Sequence, residues 1–429
     1  MNYLFKNCYT VTPDWDLLTE QCVLVEDGKI SSILPSAELN NKVQLPEQLE
    51  IIDCTDQLLI PGFVNAHCHV AMTLLRGYGS ERALHQWLFD YILPFEDEMS
   101  GEDCYWGAKL GIAEMLASGI TSFSDMYMFV WDITKAINES GIKANVCAFS
   151  DDADSFAKQL ASLNTDKIRM DMAYHAVYTG NPKKLTNIVE LADKYNCHVQ
   201  VHVSETIKEN EDWLNETGQT PTAYLADFNL FSHPTIAAHC VHLNDEDIEI
   251  MKKYNVHPCH CPSANLKLGS GIADVRKWLS ADLKACIGTD GPASNNNLNM
   301  LEEIHFAAML QKGLHRDPTC LTPKQVLKMA TINGALAQGR TNTGSMEIGY
   351  AADLTLWDLR HAHTQPLNDV LCALVYSANA SDLRMNMVDG EILYFDGEYK
   401  TIDLPEVIAN CQRIKQEKQH LMTRSMDMF

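Results

Sequence analysis

Between residues 59 and 340, short apolar segments alternate with longer helical patterns, and that alternation leaves very few architectures open. The candidate strands are Phe63–His69, Ile120–Asp125, Lys143–Ala148, Ile168–Ala176, His198–Ser204, Thr235–Val241, Asn255–Cys259 and Lys284–Gly288. Several of the helices between and after them have readable ends. Ser100 and Asp103 have capping-box chemistry ahead of an apolar pattern that stops at Gly119, and Thr322-Pro323 with Gln325 forms a second such start. Eight strands alternating with helices predict an α/β fold, a (β/α)8 TIM-type barrel, whose chemistry sits where strands end and loops begin. The flanking segments read differently. Tyr3–Val11, Cys22–Glu26, Lys29–Leu34 and Glu50–Cys54 at one end, and Asp353–Leu359 and Met385–Phe395 at the other, are strand-like and rich in turns. They are too short to stand alone, so residues 1–58 and 341–403 are expected to pair into one small β-sandwich domain around the barrel of residues 59–340. Residues 404–429 form a C-terminal segment in which Pro405 to Met422 reads as one amphipathic helix.

Composition removes several classes of partner. A formal charge of −24, from 57 acidic and 33 basic residues, argues against nucleic acid and anionic membranes, because phosphate binding needs a basic surface. No apolar run approaches the roughly 18 to 20 residues of a membrane span, and the N-terminus lacks the pattern of a signal peptide. Fourteen cysteines without an export signal predict free thiols and a cytoplasmic location. Cys259-His260-Cys261, preceded by His257, could be half of a structural zinc site, but no second Cys-x-x-Cys lies at finger-like spacing.

The candidate chemistry lies at strand ends. His67 and His69 close the first barrel strand on the same face as Phe63 and Asn65, and two neutral imidazoles so placed can clamp a divalent metal. Alone, the pair reads equally well as satisfied core histidines. His202, with Glu205 three residues on, His239 and Asp290 each close another strand, and each alone has a structural reading; Asp290 before Gly-Pro is an ordinary turn former. Jointly they are stronger. Three histidines and a carboxylate opening on one barrel face satisfy a divalent ion and leave a position for water.

These residues sit inside longer motifs. Pro61-Gly62-Phe-Val-Asn65-Ala-His67-Cys-His69, Met72-Thr-Leu-Leu-Arg-Gly77, Pro94-Phe-Glu96, His175-Ala-Val-Tyr178, His202-Val-Ser-Glu205-Thr, Asn265-Leu-Lys-Leu-Gly-Ser270 and Gly288-Thr-Asp290-Gly-Pro run in order along the chain. The sequence thereby resembles the amidohydrolase superfamily, in the branch of triazine hydrolases and methylthioadenosine/S-adenosylhomocysteine deaminases. The resemblance implies one Zn2+ per chain, or Fe2+, held by His67, His69, His202 and Asp290. Some relatives bridge two metals with a lysine on the fourth strand; Ile168–Gly180 has none, so a mononuclear site is expected. The same resemblance implies hydrolytic deamination of an adenosine-type nucleoside. Asp290 would take a proton from the attacking water, His239 would orient it, and Glu205 would protonate the ring nitrogen. Glu96 would accept from the ribose hydroxyls and His175 would be a further nucleoside contact, while Trp87 reads either as a substrate-packing ring or as core.

One departure bears on specificity. Members that take S-adenosylhomocysteine carry an arginine after the third strand, whereas Asn145–Phe156 has no arginine and three aspartates. This favours small or neutral 5′ substituents, as in methylthioadenosine, 5′-deoxyadenosine or adenosine. The alternatives are deamination of another heterocycle such as guanine, hydrolytic dehalogenation, or a non-catalytic metal-binding protein. A small-molecule substrate is the expected partner, and a homo-oligomer is compatible with the sequence.

Overall fold

In a computed structural model, described here for residues 1–149 and 153–423, the predicted strands close into a barrel. Eight parallel strands follow one another in chain order: Phe63–Cys68, Ile120–Asp125, Lys143–Ala148, Ile168–Tyr174, Val199–Val203, Thr235–His239, His257–His260 and Cys286–Ile287. Helices cover the outside and side chains fill the inside, so both faces are buried. Every residue of the first three strands is buried, the polar ones included, as expected of strands covered on both faces. The eighth strand is only two residues long and meets the first without a regular ladder. It is joined instead by Asp290 N–H donating to His67 O (3.0 Å), Thr289 N–H to Asn65 Oδ1 (2.9 Å) and Asn65 Nδ2 to Thr289 Oγ1 (2.8 Å). Gly288 makes that approach feasible, since a Cβ there would stand 2.7 Å from His67 N.

A second sheet is built from both ends of the chain. Its order is Glu398–Tyr399, Glu391–Phe395, Leu383–Val388, Leu354–Asp358, Gln57–Pro61, Tyr3–Val11, Leu17–Glu26 and Lys29–Pro35, with Glu50–Asp53 also pairing along Tyr3–Val11. The strand Gln57–Pro61 was not among the expected ones. It is wholly buried and pairs antiparallel with Leu354–Asp358. One residue later, past Gly62, the chain enters the first barrel strand, so the outer sheet and the histidine strand are nearly continuous.

The predicted helix starts are present. Ser100 and Asp103 form a reciprocal capping box at the head of Gly101–Leu116, and Thr322 and Gln325 do the same at Pro323–Met329. The single helix expected over Pro405–Met422 is instead two, Leu404–Glu417 and Gln419–Thr423. Lys418 leaves the helical path (φ −97°, ψ 13°), and its ammonium reaches Glu98 O and, at 3.2 Å, Asp103 Oδ2 on the neighbouring helix. All fourteen cysteines are free thiols, and among the described residues no helix is long and apolar enough to cross a membrane.

A buried ion pair ties barrel to outer sheet. Lys143, at the start of the third strand, donates to Asp353 Oδ1 and Oδ2 (2.8 and 2.6 Å) and lies 2.5 Å from Asp389 Oδ1. Burial alone would raise the Asp353 carboxyl, but the Lys143 charge and hydrogen bonds from Lys143 and Thr343 outweigh it and hold it below its usual value. Lys143→Met leaves that carboxylate buried without its cation, so a loss of about 3 to 5 kcal/mol is expected from the urea midpoint. Because the folded carboxyl titrates below its unfolded value, the pair's contribution is full at neutral pH. It fades only as pH falls below the ordinary carboxylate range, and the variant should lack that acid-side dependence.

Candidate active site

The strand ends place the sequence-predicted donors around one centre. One ligand atom from each of His67, His69, His202 and Asp290 lies within 4.8 Å of the others, and all four residues are buried. His67 Nε2 is 3.1 Å from His202 Nε2 and 3.5 Å from Asp290 Oδ1, while His69 Nε2 is 3.2 Å from Asp290 Oδ1. Among the described residues this is the only group of three or more such side chains that could hold a metal ion, and the Cys259-His260-Cys261 run forms none.

Hydrogen bonds fix which nitrogens face the centre. His69 Nδ1 is 2.6 Å from Met126 O and His202 Nδ1 is 2.8 Å from His175 O. A carbonyl only accepts, so each Nδ1 carries the proton and each Nε2 turns a lone pair inward. Burial, with neighbouring histidines, drives His202 well below the ordinary histidine value, and burial brings His67 to about 4. Both are therefore neutral at pH 7; His202 turns its Nε2 lone pair toward His67 Nε2 across 3.1 Å, while His67 Nδ1 is buried with no partner among the described residues. Such a donor set fits a divalent cation and little else.

Three turns at this rim are left-handed although none is glycine: Ser204 (φ +51°), His239 with Cys240 (φ +70° and +50°) and Asp290 (φ +59°). Each reversal aims a side chain across the barrel mouth instead of along its strand, a strain that clusters at working sites. Asp290 is secured by Ser294 Oγ, which donates to Oδ2 at 2.6 Å. His239 Nδ1 donates to Asn265 Oδ1 at 2.9 Å and presents Nε2 to Glu205 Oε2 at 3.8 Å. Glu205 Oε1 accepts from Ser270 Oγ at 3.1 Å. Burial raises the Glu205 carboxyl, partly offset by His239. Burial acts against charge on His239 too, yet Glu205 and Asp290 prevail and raise its value. The two thus form a charge-coupled pair 3.8 Å apart, Glu205 raising the titration of His239 and His239 lowering that of Glu205.

These groups open on one cavity of about 340 Å3. Its wall brings together all the remaining predicted residues, namely Trp87, Glu96 and His175, with apolar side chains including Met72, Leu88, Met128 and Phe149. Trp87 and Glu96 come from an insertion after the first strand, Leu84–Trp87, Leu88–Ile92 and Leu93–Glu96, whose middle piece is a π-helical turn. Trp87 Nε1 and Glu96 Oε1 are buried with no hydrogen-bond partner among the described residues, leaving one donor and one acceptor at the cavity wall. His175 sits beside His202, its Nδ1 bonded to Thr179 Oγ1 at 2.7 Å. The aspartate-rich loop divides: Asp151 and Asp152 lie outside the described residues, while Asp154 is exposed in the helix Ala153–Leu163. Ser270 and Ser294 had no role in the sequence reading, nor did Asn265. Asn265 and Ser270 fall within its motifs and Ser294 lies two residues beyond one, but their partners become visible only in three dimensions.

A barrel with this quartet at its strand ends defines a metal-dependent hydrolase. The chain belongs to the amidohydrolase family, whose model matches residues 58–393. A 5-methylthioadenosine/S-adenosylhomocysteine deaminase of Acetivibrio thermocellus is 40% identical over 429 residues, spanning 96% of this chain and 99% of the relative. The crystal structure of an adenosine deaminase from Xanthomonas campestris with bound zinc superposes with a TM-score of 0.92 at 32% identity, over 97% of this chain and 98% of that one. Atrazine chlorohydrolase from Arthrobacter aurescens, complexed with zinc, gives 0.87 at 20% identity over 96% and 99%, a likeness of fold alone.

Metal content tests the quartet directly. Elemental analysis is expected to find about one divalent ion per purified chain and to find it lost in His67→Ala and His202→Ala, each of which removes one of four donors. Full metal retention in both variants would show that the quartet is not the site.

Proposed function

We propose that this chain is a zinc-dependent deaminase that hydrolyses adenosine-type nucleosides to the inosine analogue and ammonia. The observation that carries the reading is the Glu205–His239 pair standing beside the metal quartet in the cavity that also holds an unpartnered Glu96 oxygen. His67, His69, His202 and Asp290 would hold the ion. When bound, a divalent ion there supplies Lewis acidity that brings the pKa of water toward neutrality. Asp290, with one oxygen anchored by Ser294, accepts a proton from the attacking water. His239, held by Asn265 and favoured as imidazolium by two carboxylates, steadies that water from Nε2. Glu205, whose carboxyl burial raises above its ordinary value, delivers a proton to the ring nitrogen beside the amino-bearing carbon. After the water oxygen adds to that carbon, the proton held by Asp290 passes to the amino group, which leaves as ammonia, and the added hydroxyl returns its proton to Glu205 as the carbonyl forms. Histidine-rich coordination favours zinc, and the similar adenosine deaminase carries it.

Glu96 and Trp87 give the nucleoside its fit. A carboxylate can accept from two ribose hydroxyls at once, and a free base offers neither. The cavity's charged lining is Glu96, Glu205 and Asp290; among the described residues it includes no lysine or arginine. A homocysteinyl carboxylate would therefore meet carboxylates and no cation, which favours a neutral 5′ group such as methylthio, hydrogen or hydroxyl.

A substrate panel followed by loss of adenosine-type absorbance checks the reading. Methylthioadenosine, 5′-deoxyadenosine or adenosine is expected to exceed S-adenosylhomocysteine by at least ~10-fold in kcat/KM. Turnover of guanine with no nucleoside would overturn the substrate class, and equal rates on S-adenosylhomocysteine would overturn the 5′ preference alone. Glu205→Gln should keep its metal and lose roughly 1,000-fold or more in kcat.

Titration of Glu96 gives a separate check. Burial pushes it up to about 7, with Tyr127 and His69 opposing and Asp97 adding to the rise. Only the carboxylate accepts from both hydroxyls, and that form prevails above the folded value. Nucleoside kcat/KM is therefore expected to fall as pH drops through about 7, and that limb to vanish in Glu96→Gln.

A further inference from the structure

The turn carrying Glu205 is held by a carboxylate that the chemistry above does not use. The fifth barrel strand ends at Val203, Ser204 swings to φ +51°, and the helix Ile207–Thr217 begins after its cap, Thr206. Thr206 Oγ1 accepts from Glu209 N at 3.1 Å, so the helix has an ordinary cap. In a capping box the third residue's carboxylate would return to the cap's own N–H. Glu209, the third residue here, reaches past it. Its Oε1 accepts from Ser204 N at 3.1 Å and its Oε2 from Glu205 N at 2.7 Å. The same turn is gripped from the sixth strand's loop, where Cys240 N donates to Val203 O and His242 N to Ser204 O, both at 3.0 Å.

The cost of this arrangement is informative. Glu209 is buried, and burial raises its carboxyl to about 7; the amide donors work against that rise while Glu205 adds to it. A neutral side chain would close the helix start without burying an acid, since Thr206 already caps it. What the carboxylate adds is two acceptors spaced for two consecutive amides, at the one turn whose second residue is the proton carrier.

We propose that Glu209 is a positioning residue for the deamination: its two hydrogen bonds lock the left-handed Ser204–Glu205 turn, so that the Glu205 carboxyl stands between Ser270 and His239. The proposal rests on the role given to Glu205 above. A proton carrier must hold its distance to a few tenths of an ångström, and a shift of about 1 Å costs on the order of 100-fold in rate.

The near-isosteric Glu209→Gln keeps one acceptor but turns an NH2 group toward the second amide. It is expected to lower kcat roughly 10- to 100-fold with KM changed less than ~3-fold and metal content unchanged. Amide hydrogen exchange of the peptide covering residues 203–206 should quicken in the same variant. Glu209→Asp, which keeps the charge but draws it back by one methylene, should fall between wild type and Gln. Since Glu209 acts only through Glu205, adding Glu209→Gln to Glu205→Gln should cost nothing further. A lower melting temperature with kcat within about twofold of wild type would make Glu209 a mere structural cap and overturn the proposal, as would additive losses in the double variant. Wild-type turnover by Glu205→Gln would sink the role of Glu205 itself. An inactive Glu205→Gln beside a fully active Glu209→Gln would sink only the present inference.

Discussion

Two imidazole nitrogens, His67 Nε2 and His202 Nε2, face each other across 3.1 Å, and much of the barrel serves to hold the quartet around them. Burial keeps both rings from taking a proton. Backbone orients two rings of the quartet: Met126 O and His175 O, at the ends of the second and fourth strands, claim the outer nitrogens of His69 and His202, each from a different strand. Asp290 completes the set because the chain reverses sharply at that residue and because Asn65 and Thr289 lace the eighth strand to the first.

The same logic separates the roles of the three acidic groups in the cavity. Asp290 is held well below the ordinary carboxylate range, burial notwithstanding, by the His67 and His69 rings against it. Glu205 and Glu96, despite Ser270 and Tyr127, are raised by burial. One carboxylate is thereby kept as an anion against the quartet, and the others stay close to exchange with a proton or a hydroxyl. Environments that push like groups apart are how one cavity runs both halves of acid–base chemistry.

Much of this was legible in order along the chain. The eight barrel strands stand close to where short strand-like segments between helix signals put them, because that alternation, more than continuous hydrophobicity, marks a parallel barrel. The ends of the barrel were less legible. Asn255–Cys259 slid to His257–His260, and Lys284–Gly288 shrank to Cys286–Ile287, since a strand closed by side chains needs little ladder. Gln57–Pro61 read as a lead-in to the histidine motif because its pairing partner lies far along the sequence. Trp87 carried two readings, as core or as a substrate-packing ring; the ring is buried at 4% exposure and lines the cavity. The supports, Asn265 under His239 and Ser270 on Glu205, have no local signature; Ser270 is 65 residues from its partner. The break at Lys418 was invisible for the same reason, resting on Glu98 and Asp103.

The near-continuity of Gln57–Pro61 with Phe63–Cys68 sets an order of events at the ribosome. The histidine strand is made early, but the antiparallel neighbour of its outer extension, Leu354–Asp358, follows roughly 300 residues later. At typical elongation rates that interval is on the order of 15 to 60 s. Throughout it, one long edge of an apolar strand waits unpaired, and His67 waits for Asp290. The four ligands can therefore meet only once Asp290 has been made, and the outer sheet can close on the histidine strand's extension only after Leu354–Asp358 follows.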